Sequence, residues 1–91
     1  MKRVPTRLRV GQLVICYWLD ASWAHHVHED ERVTPVRVKT VGWIRERTDR
    51  FITLQAESFL DEHVSGDGRD VTTVTAAMLR RVIILQEEGA W

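Results

Sequence analysis

Residues 40–57 read TVGWIRERTDRFITLQAE. Two apolar runs flank RTDR, a set of turn-compatible residues, so the stretch is expected to fold as a β-hairpin. In the return limb, FITLQA, the residues Ile52, Leu54 and Ala56 alternate with Phe51, Thr53 and Gln55 and are assigned to an inner face. The outgoing limb has to be taken with its approach, TPVRVKTVGWIRER. Pro35 suits a strand start, where no ladder donor is required. Val36, Val38 and Thr40 then alternate with Arg37 and Lys39. After Thr40 the pattern slips: Val41 and Trp43 are apolar on what had been the basic face, while Ile44 keeps the other. Gly42 sits at the slip. A glycine inside a strand marks a bulge or a bend where a sheet turns a corner. The expectation is one long strand, bent at Gly42, that serves two sides of a curled sheet.

Working outward, QLVICYWL is β-branched and aromatic, and is expected to be a strand. Val14, Cys16 and Trp18 fall on one face; Leu13, Ile15, Tyr17 and Leu19 fall on the other. Both faces are apolar, whereas a half-exposed strand alternates with polar residues. The second face therefore needs a cover: the N-terminal arm, a loop or another subunit. Self-association as a dimer or small ring is the resulting expectation. The arm, residues 1–10, carries Lys2, Arg3, Arg7 and Arg9 with no acid, and is expected to be mobile or at most strand-like. Downstream, VTTVT is a short strand by its β-branched content. AAML fits one 3₁₀ turn, RRVIIL a last strand, and residues 86–91 a tail. Two polar stretches interrupt this body, DASWAHHVHEDER and ESFLDEHVSGDGRD. The second holds a turn at Gly66, Asp67 and Gly68, and its Phe59, Leu60 and Val64 suit an extended flap. The domain proper is assigned to residues 11–85.

The order of elements resembles the small SH3-like and Sm-like β-barrels. VRVKTVGWIRERTDRFITLQA matches their bent hairpin, and VTTVTAAMLRRVIIL their strand, single helical turn and final strand. The words YWLDA, TVGWI and RRVIIL resemble short uncharacterised proteins encoded by bacteriophages and prophages. The resemblance spans roughly residues 11–85 and implies an all-β, five-stranded barrel. It implies little about function, because small barrels bind peptides, nucleic acids, nucleotides and one another. An N-terminal helix of the Sm-like kind is not expected, since VPTRLRV contains Pro5 and no helical stripe.

Composition narrows the classes. The chain has 91 residues, enough for one domain, with 13 Lys and Arg against 13 Asp and Glu. Zero net charge argues against a non-specific nucleic-acid coat, which would be clearly basic. The single cysteine, Cys16, excludes an intramolecular disulfide framework, so a reducing compartment, the host-cell cytoplasm, is the expectation. No stretch approaches the ~20 apolar residues of a membrane-spanning helix. The N-terminal basic residues are followed by no apolar run of the signal-peptide kind.

Three constellations are candidate sites. HHVHED offers His25, His26, His28, Glu29 and Asp30, suitable zinc or nickel ligands, but at no standard zinc spacing. The same residues fit a solvated loop, or histidines that tune a binding surface by protonation. No metal or other cofactor is expected. Trp18, Asp20 and Trp23, with Ser22 between them and His25 just beyond, stand where the first strand meets the first loop. Aromatic faces there can stack on a base or a proline ring, and the aspartate can accept hydrogen bonds; packing into the core is the alternative for Trp18. The third set is basic: Arg45, Arg47 and Arg50 along the hairpin, with Arg37, Lys39, Arg80 and Arg81 elsewhere. Guanidinium groups suit phosphate recognition, or else pair with the acids and keep sheet edges apart. A Ser22 or Ser58 triad can be written, but no nucleophile elbow supports it, so no catalysis is expected. The expected function is a non-catalytic module, phage-encoded, that binds a host protein. The alternatives are a sequestering protein for a small anionic ligand such as a signalling nucleotide, which requires arginines and a tryptophan to converge, and a nucleic-acid-binding barrel.

Overall fold

A computed structural model describes residues 1–20, 35–58 and 68–89. The chain is all-β. Strands β1 (Leu13–Asp20), β2 (Val36–Arg47), β3 (Phe51–Ser58), β4 (Gly68–Thr75) and β5 (Leu79–Gln86) form one antiparallel sheet in the order β4-β3-β2-β1-β5. Successive strands are neighbours except at the last step. Between β4 and β5 the chain crosses from one edge of the sheet to the other in a single 3₁₀-type turn, where Met78 and Leu79 donate to the carbonyls of Thr75 and Ala76. The two edges come near each other at this turn: Ala76 N–H donates to Arg50 O, and Leu19 N–H donates to Met78 O. No ladder joins β4 to β5 among the described residues.

β2 is the strand that changes partner along its length. Its first part, from Val36 to Trp43, pairs with β1; its last part, from Trp43 to Arg47, pairs with β3. Gly42 lies at the changeover, where β3 comes close. A Cβ there would stand 2.8 Å from the carbonyl oxygen of Gln55 and 3.3 Å from Leu54 Cβ. Glycine is required by the close approach of β3, since Gly42 is not among the positive-φ residues. The bulge lies elsewhere, between Ile44 and Glu46, where Arg45 is skipped by the ladder.

The core lies on one face of the sheet. Val14 and Cys16 from β1, Ile44 from β2, Ile52 and Leu54 from β3, Val74 from β4, and Leu79 and Val82 from β5 are all buried. Trp18, Met78 and Ile84 pack against them. Ala56, expected on this inner face, is exposed instead. The inward row of β3 stops at Leu54: the β3–β4 ladder skips Ala56 opposite Asp70, which has the left-handed φ of 57°. Thr53 and Gln55, on the opposite face of β3, are buried too. β4 also begins three residues before the expected VTTVT.

The arm differs most from expectation. Val4 and Leu8 are core residues, 2% and 0% exposed. The arm reaches them through two short turns rather than a strand, with Leu8 N–H bonded to Pro5 O and Gln12 N–H to Arg9 O. It is tied down on all sides. Val4 N–H donates to Asp49 O, Gly11 N–H to Ile44 O, and Arg7 to Val82 O. The composition of the arm hid this. Its charged residues catch the eye, but the pair that decides its place is apolar Val4 and Leu8, and a domain this small has few other apolar side chains with which to close its core.

Candidate functional site

The sheet has two faces, and the register shows what the outer one carries. Because Val14 and Cys16 point inward, Leu13, Ile15, Tyr17 and Leu19 point outward. Opposite Leu19 stands Arg37. Opposite Tyr17 stand Lys39 on one side and Arg81 on the other; opposite Ile15 stand Val41 and Ile83. The Arg81 guanidinium lies 5.6 Å from the centroid of the Tyr17 ring, a cation–π contact.

Where β1 ends and β2 begins, this face meets an open concavity of about 450 Å³. Arg37, Lys39 and Arg80 supply its cations, and Tyr17 and Trp18 its aromatic walls; Leu19 and Val38 complete the lining. Three strands assemble it. β1 presents consecutive residues to both sides of its end, β2 brings Arg37 and Lys39 by pairing, and the start of β5 delivers Arg80. Trp18 is oriented by a hydrogen bond from its indole Nε1 to Thr40 Oγ1, 3.0 Å, and its ring packs on the core. It is both a core residue and a wall of the concavity. Arg80 is held by bonds from Nη1 to the carbonyls of Ala77, 2.7 Å, and Leu79, 3.1 Å. These use one of its nitrogens and fix the guanidinium at the rim. Among the described residues neither Arg37 nor Lys39 forms an ion pair.

The residues singled out in the sequence are placed unevenly. Trp18 lines the concavity, and Asp20 closes β1 beside it. Trp23 and His25, with the rest of the HHVHED cluster, lie outside the described residues. Arg45, Arg47 and Arg50 do not reach the concavity. Arg47 in particular turns inward to the arm, where Nη2 donates to the carbonyls of Val4, 3.0 Å, and Pro5, 3.1 Å. The hairpin tip beside it is anchored on both sides, to Val4 through Asp49 and to Ala76 through Arg50. Thr48 Oγ1 accepts from the backbone N–H groups of Arg50 and Phe51 and fixes the turn. The contacts of the hairpin tip are thus with the arm and with the turn before β5 rather than with the concavity. The cations that converge, Arg37, Lys39 and Arg80, belong to the wider basic set, and in the sequence Tyr17 carries no signal beyond that of an apolar strand residue. The alternation of Arg37 and Lys39 with valines was the signal; the register opposite Tyr17 and Leu19 was not readable from one strand alone.

Cys16 is buried, and desolvation pushes its thiol up from 9.0 to about 12. A thiol held neutral and out of contact with solvent is a packing group rather than a nucleophile. Among the described residues no three histidines, cysteines or acids gather as a metal site. No protein-family model, no curated protein and no solved structure matches the chain.

Proposed function

We propose that this protein is a non-catalytic binding module, its sheet curled into a small barrel of the SH3-like and Sm-like kind, that takes a small anionic ligand in the concavity at the end of β1. The supporting observation is the convergence of Arg37, Lys39 and Arg80 on Tyr17 and Trp18 within one chain. Three cations suit a phosphate or carboxylate group, and the two aromatic rings suit a flat apolar moiety joined to it. Its size suits a ligand on the scale of a nucleotide, so sequestration of a nucleotide-like molecule is the biological form of this reading. The test is titration with adenosine monophosphate, phenyl phosphate and inorganic phosphate, followed by backbone and indole NMR. The expected result is saturable shifts of the Trp18 indole N–H and of the Arg37 and Lys39 amides, weakened by salt and by Lys39→Glu. If none of these compounds moves those resonances, or if neutral benzyl alcohol moves them equally, the reading is wrong.

A second reading, a modulator that binds a host protein in the cytoplasm, draws support from the outer face beyond the concavity. There Val41 and Leu85 are 49% and 51% exposed. A nucleic-acid partner is less well supported, because the arm is fixed by Val4 and Leu8 in the core and two of its cations are engaged, Arg7 with Val82 O and Arg9 with Glu88. Self-association is proposed to use the edge of β4, the strand that ends the sheet order on the side away from β5.

A further inference from the structure

The cations that line the concavity fall on two sides of β1. On one side are Arg37 and Lys39 of β2, paired with Leu19 and Tyr17. On the other is Arg80 of β5. Neighbouring strands stand about 4.8 Å apart, so β2 and β5 are about 10 Å from each other across β1. The outward side chains of Leu19 and Tyr17 rise between them.

Arg80 owes its place to an irregularity in the ladder. Tyr17 pairs with Arg81 and Trp18 with Leu79, which leaves Arg80 as the extra residue of a β-bulge. Bulges of this kind re-aim a side chain. Its Nη1 is then taken by the carbonyls of Ala77 and Leu79. The guanidinium is held on the β5 side and does not swing across β1 to join Arg37 and Lys39. Arg81, 5.6 Å from the centroid of the Tyr17 ring, adds a second positive charge on that side. No acid lines the concavity among the described residues. Asp20, the nearest in sequence, alternates with Leu19 to the other face of β1.

We propose that the concavity takes a ligand with two anionic groups held apart by a spacer, of the nucleoside 3′,5′-bisphosphate class, rather than a ligand with a single anion. The inference rests on the small-anion reading above and names the ligand class that the same site prefers. One anionic group sits at Arg80, the other at Arg37 and Lys39, and the spacer crosses Tyr17 and Leu19. A single phosphate satisfies one side and leaves the other without a counter-charge. Two phosphates joined through one bridging oxygen lie too near each other to serve both sides at once. Anions at both ends of one molecule make the second contact intramolecular, so the two contacts reinforce each other.

The experiment is calorimetric titration of the intact protein with adenosine 3′,5′-bisphosphate, adenosine diphosphate and adenosine monophosphate. It is repeated on Arg80→Gln and Lys39→Gln, and urea melting of each variant checks the fold. In the wild type the bisphosphate is expected to bind about tenfold or more tighter than either other nucleotide. In each variant its affinity should fall to that of the monophosphate, with unchanged melting. The comparison of ligands on the wild type decides the matter even where a variant melts early. A bisphosphate no tighter than the monophosphate, a diphosphate that equals it, or an Arg80→Gln variant that folds and keeps the full preference overturns this inference and leaves the small-anion reading standing. If none of the nucleotides binds, that reading falls as well.

Discussion

Gln12 is fully buried and yet satisfied. Its Oε1 accepts from Arg9 N–H at 2.8 Å, and its Nε2 donates to Arg7 O and to Glu87 Oε2. One side chain thereby ties the arm to the chain beyond β5. Arg47 does the same at the other end of the arm, through the carbonyls of Val4 and Pro5, although its Nε is buried with no partner. Removing Arg47 takes the side-chain donor from the Val4 carbonyl and leaves that of Pro5 with the Leu8 N–H alone, so Arg47→Ala is expected to cost about 1–3 kcal/mol. Arg50→Ala, at an exposed position of the same turn, should stay within about 0.5 kcal/mol. Equal effects in urea unfolding would show that Arg47 is no latch. Gly42→Val forces a Cβ against the Gln55 carbonyl, and is expected to destabilise by about 1–3 kcal/mol, as overpacking does. An unchanged denaturation midpoint would mean that β3 can retreat from β2. For Cys16 the sign follows from the raised pKa. The unfolded thiol ionises near 9.0 while the folded one holds its proton to about 12. Its contribution to stability is therefore complete below pH 9.0 and is lost as pH rises through that interval to about 12. Compared with Cys16→Ala, the wild type should lose stability more steeply over that range. At neutral pH iodoacetamide should label Cys16 only in denaturant.

At the scale of elements, the long strand that serves two neighbours was legible because three local signals coincide: Pro35 at its start, a reversal of the apolar face, and a glycine at the reversal. The reason assigned to Gly42 needed the structure, since whether a glycine serves φ or close approach depends on what lies across from it. β3 was legible up to Leu54 and then not. The inward row ends at a ladder irregularity opposite Asp70, and nothing in FITLQA announces a defect in its neighbour. The arm was misjudged because two apolar residues, Val4 and Leu8, separated by Pro5 and basic residues, fit neither a strand nor a helical stripe long enough to trust. Their burial makes a direct comparison possible. Leu8→Ala is expected to cost about 2–5 kcal/mol, the range also expected for Ile52→Ala in the middle of β3. If Leu8→Ala melts like the wild type while Ile52→Ala does not, the arm is an accessory rather than part of the core. The concavity was the least legible feature. Its cations come from β2 and from the start of β5, and only pairing with β1 brings them to Tyr17 and Trp18.

At the scale of the whole molecule, the sheet gathers distant parts of the chain. β5 lies next to β1, and Leu79 and Val82 complete a core that Val4 and Leu8 enter from the other end of the sequence. The arm itself leans on β5 through the Arg7 bond to Val82 O. Seen from a ribosome, this arrangement has a cost. β1, apolar on both faces, emerges early, and its inner partners in β5 are made long afterwards. Until they arrive, no subset of earlier strands can bury Val14 and Cys16 as the finished sheet does, so the nascent chain is expected to stay open. Non-local pairing of this kind folds on the slow end of the scale for small domains, ms to s rather than μs. During that interval β1 is the segment most exposed to wrong partners. A chain stalled just before β5 should be cut readily by protease and recruit chaperones, whereas release of the last strand should confer resistance in one step.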